Sequence, residues 1–390
     1  MASPARPLTV AKLQPDSATR LIYIDNLRWT MMILVISMHA ADTYSPLGNW
    51  YYTDRSPLNT ASVLSFAAWQ MYLQSFFMGL LFFIAGYFVP ASLERKGIAR
   101  FVRDRGFRLG LPVLFYMFVL GPVVEYFLAH SWNSTRPTTF PHEWIKHIRN
   151  GQFLQENGPL WFCLALLIFS VVYAILPRRS APRPTAAPGT PSLAGFAFVM
   201  ATGAFFVRAT LPPGFTLLNM HLGDFAQYIL LFAAGILAAR GRWLPELSFA
   251  RGIRWLMILL PLGFGVWLSV LLAGGALTGN GHAFSSGWHW QNAAISAWES
   301  FTCVAICFGL LVVFREKLDS QGRVAKFLSD NAFSVYVFHP VFVIAAARAM
   351  HGLAWLPLVK FALLALIAAV LSFAASAAVF RRLPLLRGIL

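Results

Sequence analysis

The sequence predicts an all-α polytopic transmembrane helix bundle of about ten spans, with both termini on the cytoplasmic side, and three observations carry that prediction. Of 390 residues, 58% are hydrophobic and only 12% charged, where a soluble domain carries roughly a quarter charged residues. The apolar residues come in blocks of about 20, the length that crosses a hydrocarbon core about 30 Å thick. The Lys and Arg residues fall in alternate loops, as cytoplasmic loops require.

The apolar blocks lie, to within a few residues, at 29–46, 62–89, 109–129, 159–177, 192–210, 224–240, 254–273, 292–314, 331–348 and 355–380. The fifth and sixth are short and the tenth is long. Of the 31 Lys and Arg residues, 24 fall in the N-terminal segment, the C-terminal tail and the loops after spans two, four, six and eight. The other seven are Arg55, Arg136, Lys146, Arg149, Arg208, Arg348 and Lys360. A wrong span count would scramble that alternation. The net charge of +16 is therefore read as orientation in a bilayer. No basic stripe interleaved with aromatics appears in a soluble-looking segment, so nucleic acid is not an expected partner.

Residues 1–28 are polar, lack a cleavable-signal pattern and read as a cytoplasmic segment before an uncleaved first span. Residues 29–380 read as one transmembrane domain and 381–390 as a cytoplasmic tail. Segment 178–191, rich in Pro, Ala and Thr, reads as a linker without packing capacity between four spans and six. Segment 130–158 is the longest external loop, with the mixed polarity of a small cap. Cys163, Cys303 and Cys307 lie in apolar segments and read as packing residues. Cys303 and Cys307 share a helix face but have no His or acidic neighbour.

Ionisable groups at bilayer depth are costly and by default mark function. In span one, Asp25, Arg28, His39 and Asp42 share one face. His39 stands about 16 Å beyond Arg28 on that face, near mid-bilayer, and each acid sits three residues from its partner. Histidine takes and returns a proton near neutral pH, and a neighbouring carboxylate fixes its tautomer. Packing against another helix's carbonyl is the competing reading. In span nine, Ser334, Tyr336 and His339 precede Pro340, which removes a backbone donor. His339 either joins the chemistry or stabilises a kink there.

Where span three begins, Arg105 and Arg108 stand one turn apart. Paired guanidinium groups at the mouth of a bundle suit the phosphates of a nucleotide-type ligand, and equally suit plain cytoplasmic anchoring. Glu125 and Glu299 are further intramembrane carboxylates able to pair with a His or an Arg. His130, His142 and His147 meet no metal-ligand spacing and read as loop residues, so no metal site is expected.

These motifs together resemble the acyltransferase 3 family of membrane acyltransferases, which includes a glucan-modifying branch. Arg20…Asp25-x-Leu27-Arg28, ten residues and His39 resemble its opening signature. Phe82-Phe83-Ile84-Ala85-Gly86-Tyr87 is similar to its Phe-Phe-x-Ser-Gly stretch, with Ala85 for the common Ser. Arg105-x-x-Arg108-x-x-x-Pro112 resembles its paired-arginine element. Leu160-Trp161-Phe162 resembles its Leu-Trp-Phe-Leu element, with Cys163 for the last Leu. Ser334-x-Tyr336-x-x-His339 resembles its late Tyr…His stretch. The likeness runs through most of the chain. No part resembles the hydrolase-like C-terminal domain that some members carry.

The resemblance implies transfer of an acetyl or succinyl group from cytoplasmic acyl-coenzyme A, a co-substrate rather than a resident cofactor. The acceptor it implies is a hydroxyl of a sugar or glycan at the outer face of a bacterial inner membrane. It makes His39 and Arg28 the residues on which activity depends. Arg28, Arg105 and Arg108 are then expected to bind the donor. Asp42 orients His39 as base or nucleophile, and His339 or Tyr336 serves as acid or oxyanion donor. Asp25, Arg20, Ser334, Trp161 and Glu125 support them. Membrane lipid is a partner by architecture, and a glycan-building protein is a further expected partner. A transporter or flippase has similar midplane charges but predicts paired inverted halves, and no such symmetry surrounds 178–191.

Overall fold

The apolar blocks fold as helices that run past their own ends. The computed structural model describes residues 20–48, 50–54, 56–129, 139–177, 184–212 and 214–382. Expectations for Arg6, Lys12, Arg55, His130, Arg136, Arg178, Arg179, Arg183 and Arg387 lie outside the described residues.

In chain order the long helices are α1 (Ile22–Tyr44), α2 (Thr60–Lys96) and α3 (Ile98–Leu128). After the short α4 (Phe140–Arg149) come α5 (Trp161–Ile175), α6 (Thr190–Thr210), α7 (Phe225–Gly241) and α8 (Phe249–Ala273). The last are α9 (Trp290–Lys317), α10 (Arg323–Ala349) and α11 (Pro357–Ala378). Among the described residues, nine of these helices are long and apolar enough to cross a membrane. The protein is a multi-pass all-α membrane bundle. The remaining long helix, α1, spans roughly 34 Å at 1.5 Å per residue but carries the charged stripe that lowers its hydropathy.

Several bounds differ from the apolar runs. α1 starts at Ile22, so Asp25 and Arg28 lie inside the helix rather than in a preceding segment. α2 continues through Arg95 and Lys96, cations that favour a helix C-terminus, and stops at Gly97, whose φ is 72°. The linker is not packing-free in its described half. Trp243 donates to the Thr185 hydroxyl at 2.8 Å and Arg251 to the Pro188 carbonyl at 3.0 Å. Ala187 also packs against the main core.

Burial is uneven. α1 is central, with Leu27, Met31 and Ala40 wholly buried. α8 buries only Gly252 and Trp267 of its 25 residues and faces outward with apolar side chains, as a lipid-exposed helix does. α2 and α7 cross closely because Gly86 and Gly235 meet there. A Cβ on Gly235 would lie 2.1 Å from the Phe83 carbonyl oxygen, so only glycine lets the backbones touch.

α3 is interrupted by two π-helical turns, at Gly106–Gly110 and Tyr116–Leu120, and runs out in a third, Val124–Ala129. Such turns free backbone carbonyls and gather at functional sites. The cap contains α4. A two-residue strand β1 (Thr216–Leu217) pairs antiparallel with β2 (Met220–His221). Its tip residues Leu218 and Asn219 have positive φ, the geometry of a tight hairpin turn. Asn219 donates to the Gly158 carbonyl at 3.0 Å, and Asn157 donates back to the Leu218 carbonyl at 2.7 Å. That exchange fixes the turn before α5.

Candidate active site

Helices α1 and α10 begin at the same end of the bundle, joined by the loop between α9 and α10. Asn26 donates to the Leu318 carbonyl at 2.6 Å and the Ser320 carbonyl at 3.0 Å, and the Tyr23 amide donates to Asp319 at 3.0 Å. With their starts tied, the two helices run parallel and bring His39 and His339 face to face. The rings stack with centroids 5.3 Å apart and planes 14° apart.

The pairings expected along α1 form. Asp42 Oδ2 lies 3.1 Å from His39 Nδ1, so Nδ1–H donates to the carboxylate and Nε2 carries the lone pair. Asp25 holds Arg28 at 3.1 Å and Arg20 at 2.5 Å. Three neighbours of His39 escape a reading of the sequence. Gln70 of α2 donates to Asp42 Oδ1 at 2.7 Å, so both carboxylate oxygens are committed. Trp50, in the loop after α1, stacks on His39 at 3.8 Å. Gly48 lies so close that a Cβ would stand 2.4 Å from Asp42 Oδ1. Gln70 had one visible signal, as an amide within an apolar run. Trp50 and Gly48 had none, because the fold-back of a loop follows no local periodicity.

His339 resolves its two readings together. Pro340 lacks the N–H that would bond the Tyr336 carbonyl, and His339 Nδ1 donates to that carbonyl at 2.9 Å instead. The histidine does satisfy the proline break. Its Nε2 is left buried without a hydrogen-bond partner. With Nδ1–H committed to backbone, the neutral ring carries its lone pair at Nε2. The Tyr336 hydroxyl donates to the Pro159 carbonyl. Ser334 is buried with its hydroxyl unpartnered. Trp161 stacks on Tyr228 with centroids 5.6 Å apart and does not line the cavity described next.

A cavity of about 510 Å³ opens where α1, α2, α3 and α10 begin or end. Its mouth carries Arg20, Arg28, Arg95, Lys96, Arg105 and Arg108 against two carboxylates, Asp25 and Asp104. Asp25 is taken by Arg20 and Arg28, and Asp104 by Lys96 at 2.7 Å. Arg105 and Arg108 have no ion-pair partner among the described residues. The inner wall is apolar, with Met32, Leu81, Ile84, Leu109, Phe162 and Leu166, and it ends at Tyr336. The expected passage from the arginines to His39 is thus not continuous. Tyr336, one helical turn before His339, lines the cavity, and neither histidine does. Charged mouth and apolar throat together suit a polyanionic head with a slender arm.

A family model described as an acyltransferase domain, that of acyltransferase 3, matches residues 21–381. The chain belongs to the acyltransferase 3 family. No curated protein and no solved structure matches it. Membership makes the protein a membrane acyltransferase. The two departures from the family pattern, Ala85 and Cys163, both line the cavity, so they bear on what fits there.

The remaining charged candidates fall elsewhere. Glu299 pairs with Arg208 at 2.6 Å, and Arg208 also holds Asp224 at 2.7 Å. Asp224 as the second carboxylate was not foreseen. Glu125 stands at the cap end of α3, near His147 and Glu156. His147 is no loop residue: it sits on α4, 4% exposed, and donates to the Met117 carbonyl at 3.1 Å. His142, on the same helix, is exposed. Burial and the adjacent Glu125 push the Glu156 carboxyl up to about 8. On the loop after α1, burial alone would raise Asp54, but the Lys360 ammonium at 2.9 Å and the Ser56 hydroxyl hold it below the usual carboxylate range.

Proposed function

We propose that this acyltransferase moves an acetyl or succinyl group from cytoplasmic acyl-coenzyme A to a hydroxyl of a sugar or glycan at the outer face of a bacterial inner membrane. The observation that carries the reading is the cavity. Six cations against two carboxylates surround its mouth, and its apolar throat points toward a histidine pair. Coenzyme A offers phosphates to such a mouth and a thin thioester arm to such a throat. Guanidinium groups bind phosphate by charge-assisted, often bidentate hydrogen bonds. The excess of Lys and Arg at this end argues that the mouth is cytoplasmic.

His39 is the general base. Its Nε2 takes the acceptor hydroxyl proton as the oxygen attacks the thioester carbon. The C–S bond then breaks, and the imidazolium returns the proton to the leaving thiolate. Asp42, locked by Gln70, holds the tautomer and balances the imidazolium charge. The thioester arm has to pass the Tyr336 layer to reach His39, which does not line the cavity.

The test is turnover by the detergent-purified protein with radiolabelled acetyl-coenzyme A. Wild type releases free thiol or retains label, and His39→Ala cuts the rate by about 10²–10⁴-fold. Arg28→Ala, at the mouth, raises KM for the donor. Wild type that neither binds nor turns over acetyl- or succinyl-coenzyme A would sink the donor assignment. Retained label on His39 would make the histidine a nucleophile instead.

A further inference from the structure

A second polar cluster lies apart from the histidine pair and the cationic cavity, under the cap. His147 projects from α4, Glu125 from the end of α3, and Glu156 from the turn fixed by the β1–β2 hairpin. One ligand-capable atom from each lies within 4.8 Å of the others. We infer that Glu125, His147 and Glu156 form a binding site for a divalent transition-metal cation of the zinc class.

The hydrogen bonds supply the first argument. The Met117 carbonyl lies in the π-helical turn Tyr116–Leu120 and accepts from His147 Nε2 at 3.1 Å. A carbonyl accepts only from N–H, so in the neutral ring Nδ1 is an acceptor. That acceptor lies 3.2 Å from Glu156 Oε2. Glu156 Oε2 is buried and makes no hydrogen bond. Three ligand-capable side chains therefore converge, the Glu125 and Glu156 carboxyls sharing a hydrogen bond that an incoming ion would displace, with the histidine nailed by its other nitrogen to a backbone carbonyl. Metal-bound histidines are held in that way, and the outer bond sets both tautomer and ring direction.

Spacing supplies the second. Bonds of about 2.0–2.1 Å from a tetrahedral Zn²⁺ to nitrogen and oxygen place two ligands roughly 3.3 Å apart. The Nδ1–Oε2 separation of 3.2 Å matches that edge. One imidazole and two carboxylates satisfy zinc, with water in the remaining position.

The backbone around the cluster is already fixed. Asn157 is wholly buried and bonded across the hairpin. Gly158, with a φ of 51°, leaves no space for a side chain against the Tyr116 ring. The ion would clasp α4 and the turn before α5 to the end of α3.

The test uses full-length protein in detergent, with any histidine tag removed, stripped by a chelator and given Zn²⁺ alone. Bound zinc is counted by atomic emission after gel filtration, and the ligand shell is read by X-ray absorption. Wild type is expected to retain one zinc per chain with a nitrogen and oxygen shell, and its melting temperature rises on zinc addition. His147→Ala and Glu156→Gln are expected to weaken binding at least tenfold and to abolish the melting shift. Glu125→Gln, isosteric at the helix end, carries the same comparison if either of those does not fold. Folded wild type without zinc overturns the inference. Equal zinc retention by the variants, or a sulfur-containing shell, overturns it too.

Discussion

Two clusters of charge in this protein, one buried and one at a cavity mouth, have opposite bookkeeping. Arg208 on α6 faces two carboxylates, Asp224 and Glu299, at 2.7 and 2.6 Å. Gln74 of α2 donates to Asp224 as well, at 3.2 Å. Every charge there has a partner inside the protein. At the cavity mouth, six cations meet two carboxylates that three of the six already hold. The difference teaches how to read charge in a bundle. A balanced cluster ties helices together, whereas an unbalanced one leaves attraction to spare for something that arrives from solution.

The largest effect separating the two is on stability. Arg208→Met removes one member of a closed set and strands two carboxylates, which costs about 3–5 kcal/mol. Thermal melting of the detergent-solubilised variant is expected to drop steeply, while any folded fraction keeps the wild-type KM for acyl-coenzyme A. The next effect runs the other way. Arg105→Gln with Arg108→Gln leaves the melting temperature unchanged and raises that KM about tenfold or more, since each charge-assisted hydrogen bond contributes about 1.5–3 kcal/mol. A double variant that melts as low as Arg208→Met would collapse the contrast and make both clusters structural.

A smaller effect sharpens the comparison at the histidine. Gln70 touches Asp42 and not the reacting atoms, so it is a positioning residue. Gln70→Ala is expected to lower kcat by about tenfold, from the loss of one hydrogen bond to a charged group. It leaves KM as it was and alters the pH–rate profile. Gln70→Glu, with a second carboxylate against Asp42, restores nothing. An unchanged pH profile would reduce Gln70 to packing. The smallest effect concerns the pair of Lys360 and Asp54. The folded-state carboxyl titrates below its unfolded value, so its stabilisation is present above the unfolded pKa and fades as pH falls through the folded one. Melting followed downward through the acid range therefore shows a loss that Lys360→Met flattens.

Much of this was legible in the sequence wherever contacts stay within one helix. Asp25 with Arg28 and His39 with Asp42 follow from a spacing of three, and His339 with Pro340 follows from the donor that proline lacks. The cationic mouth followed from paired arginines at a helix start. Contacts between elements were not legible, because they depend on how each helix is rotated and where a loop returns. Gln70 on Asp42, Trp50 on His39 and Asp224 on Arg208 are of that kind. So is Glu156 beside His147, which local spacing assigned to an unremarkable loop.

The layer at Tyr336 has a consequence beyond catalysis. A base with a relay carboxylate at mid-depth, open to water on both sides, would conduct protons down the cell's electrochemical gradient. The cavity reaches Tyr336, whose hydroxyl is tied to the Pro159 carbonyl, and not His39, so such a shunt would have to pass that layer. Each opening toward His39 carries an energetic hazard for the cell that a bound donor, filling the throat, would cover.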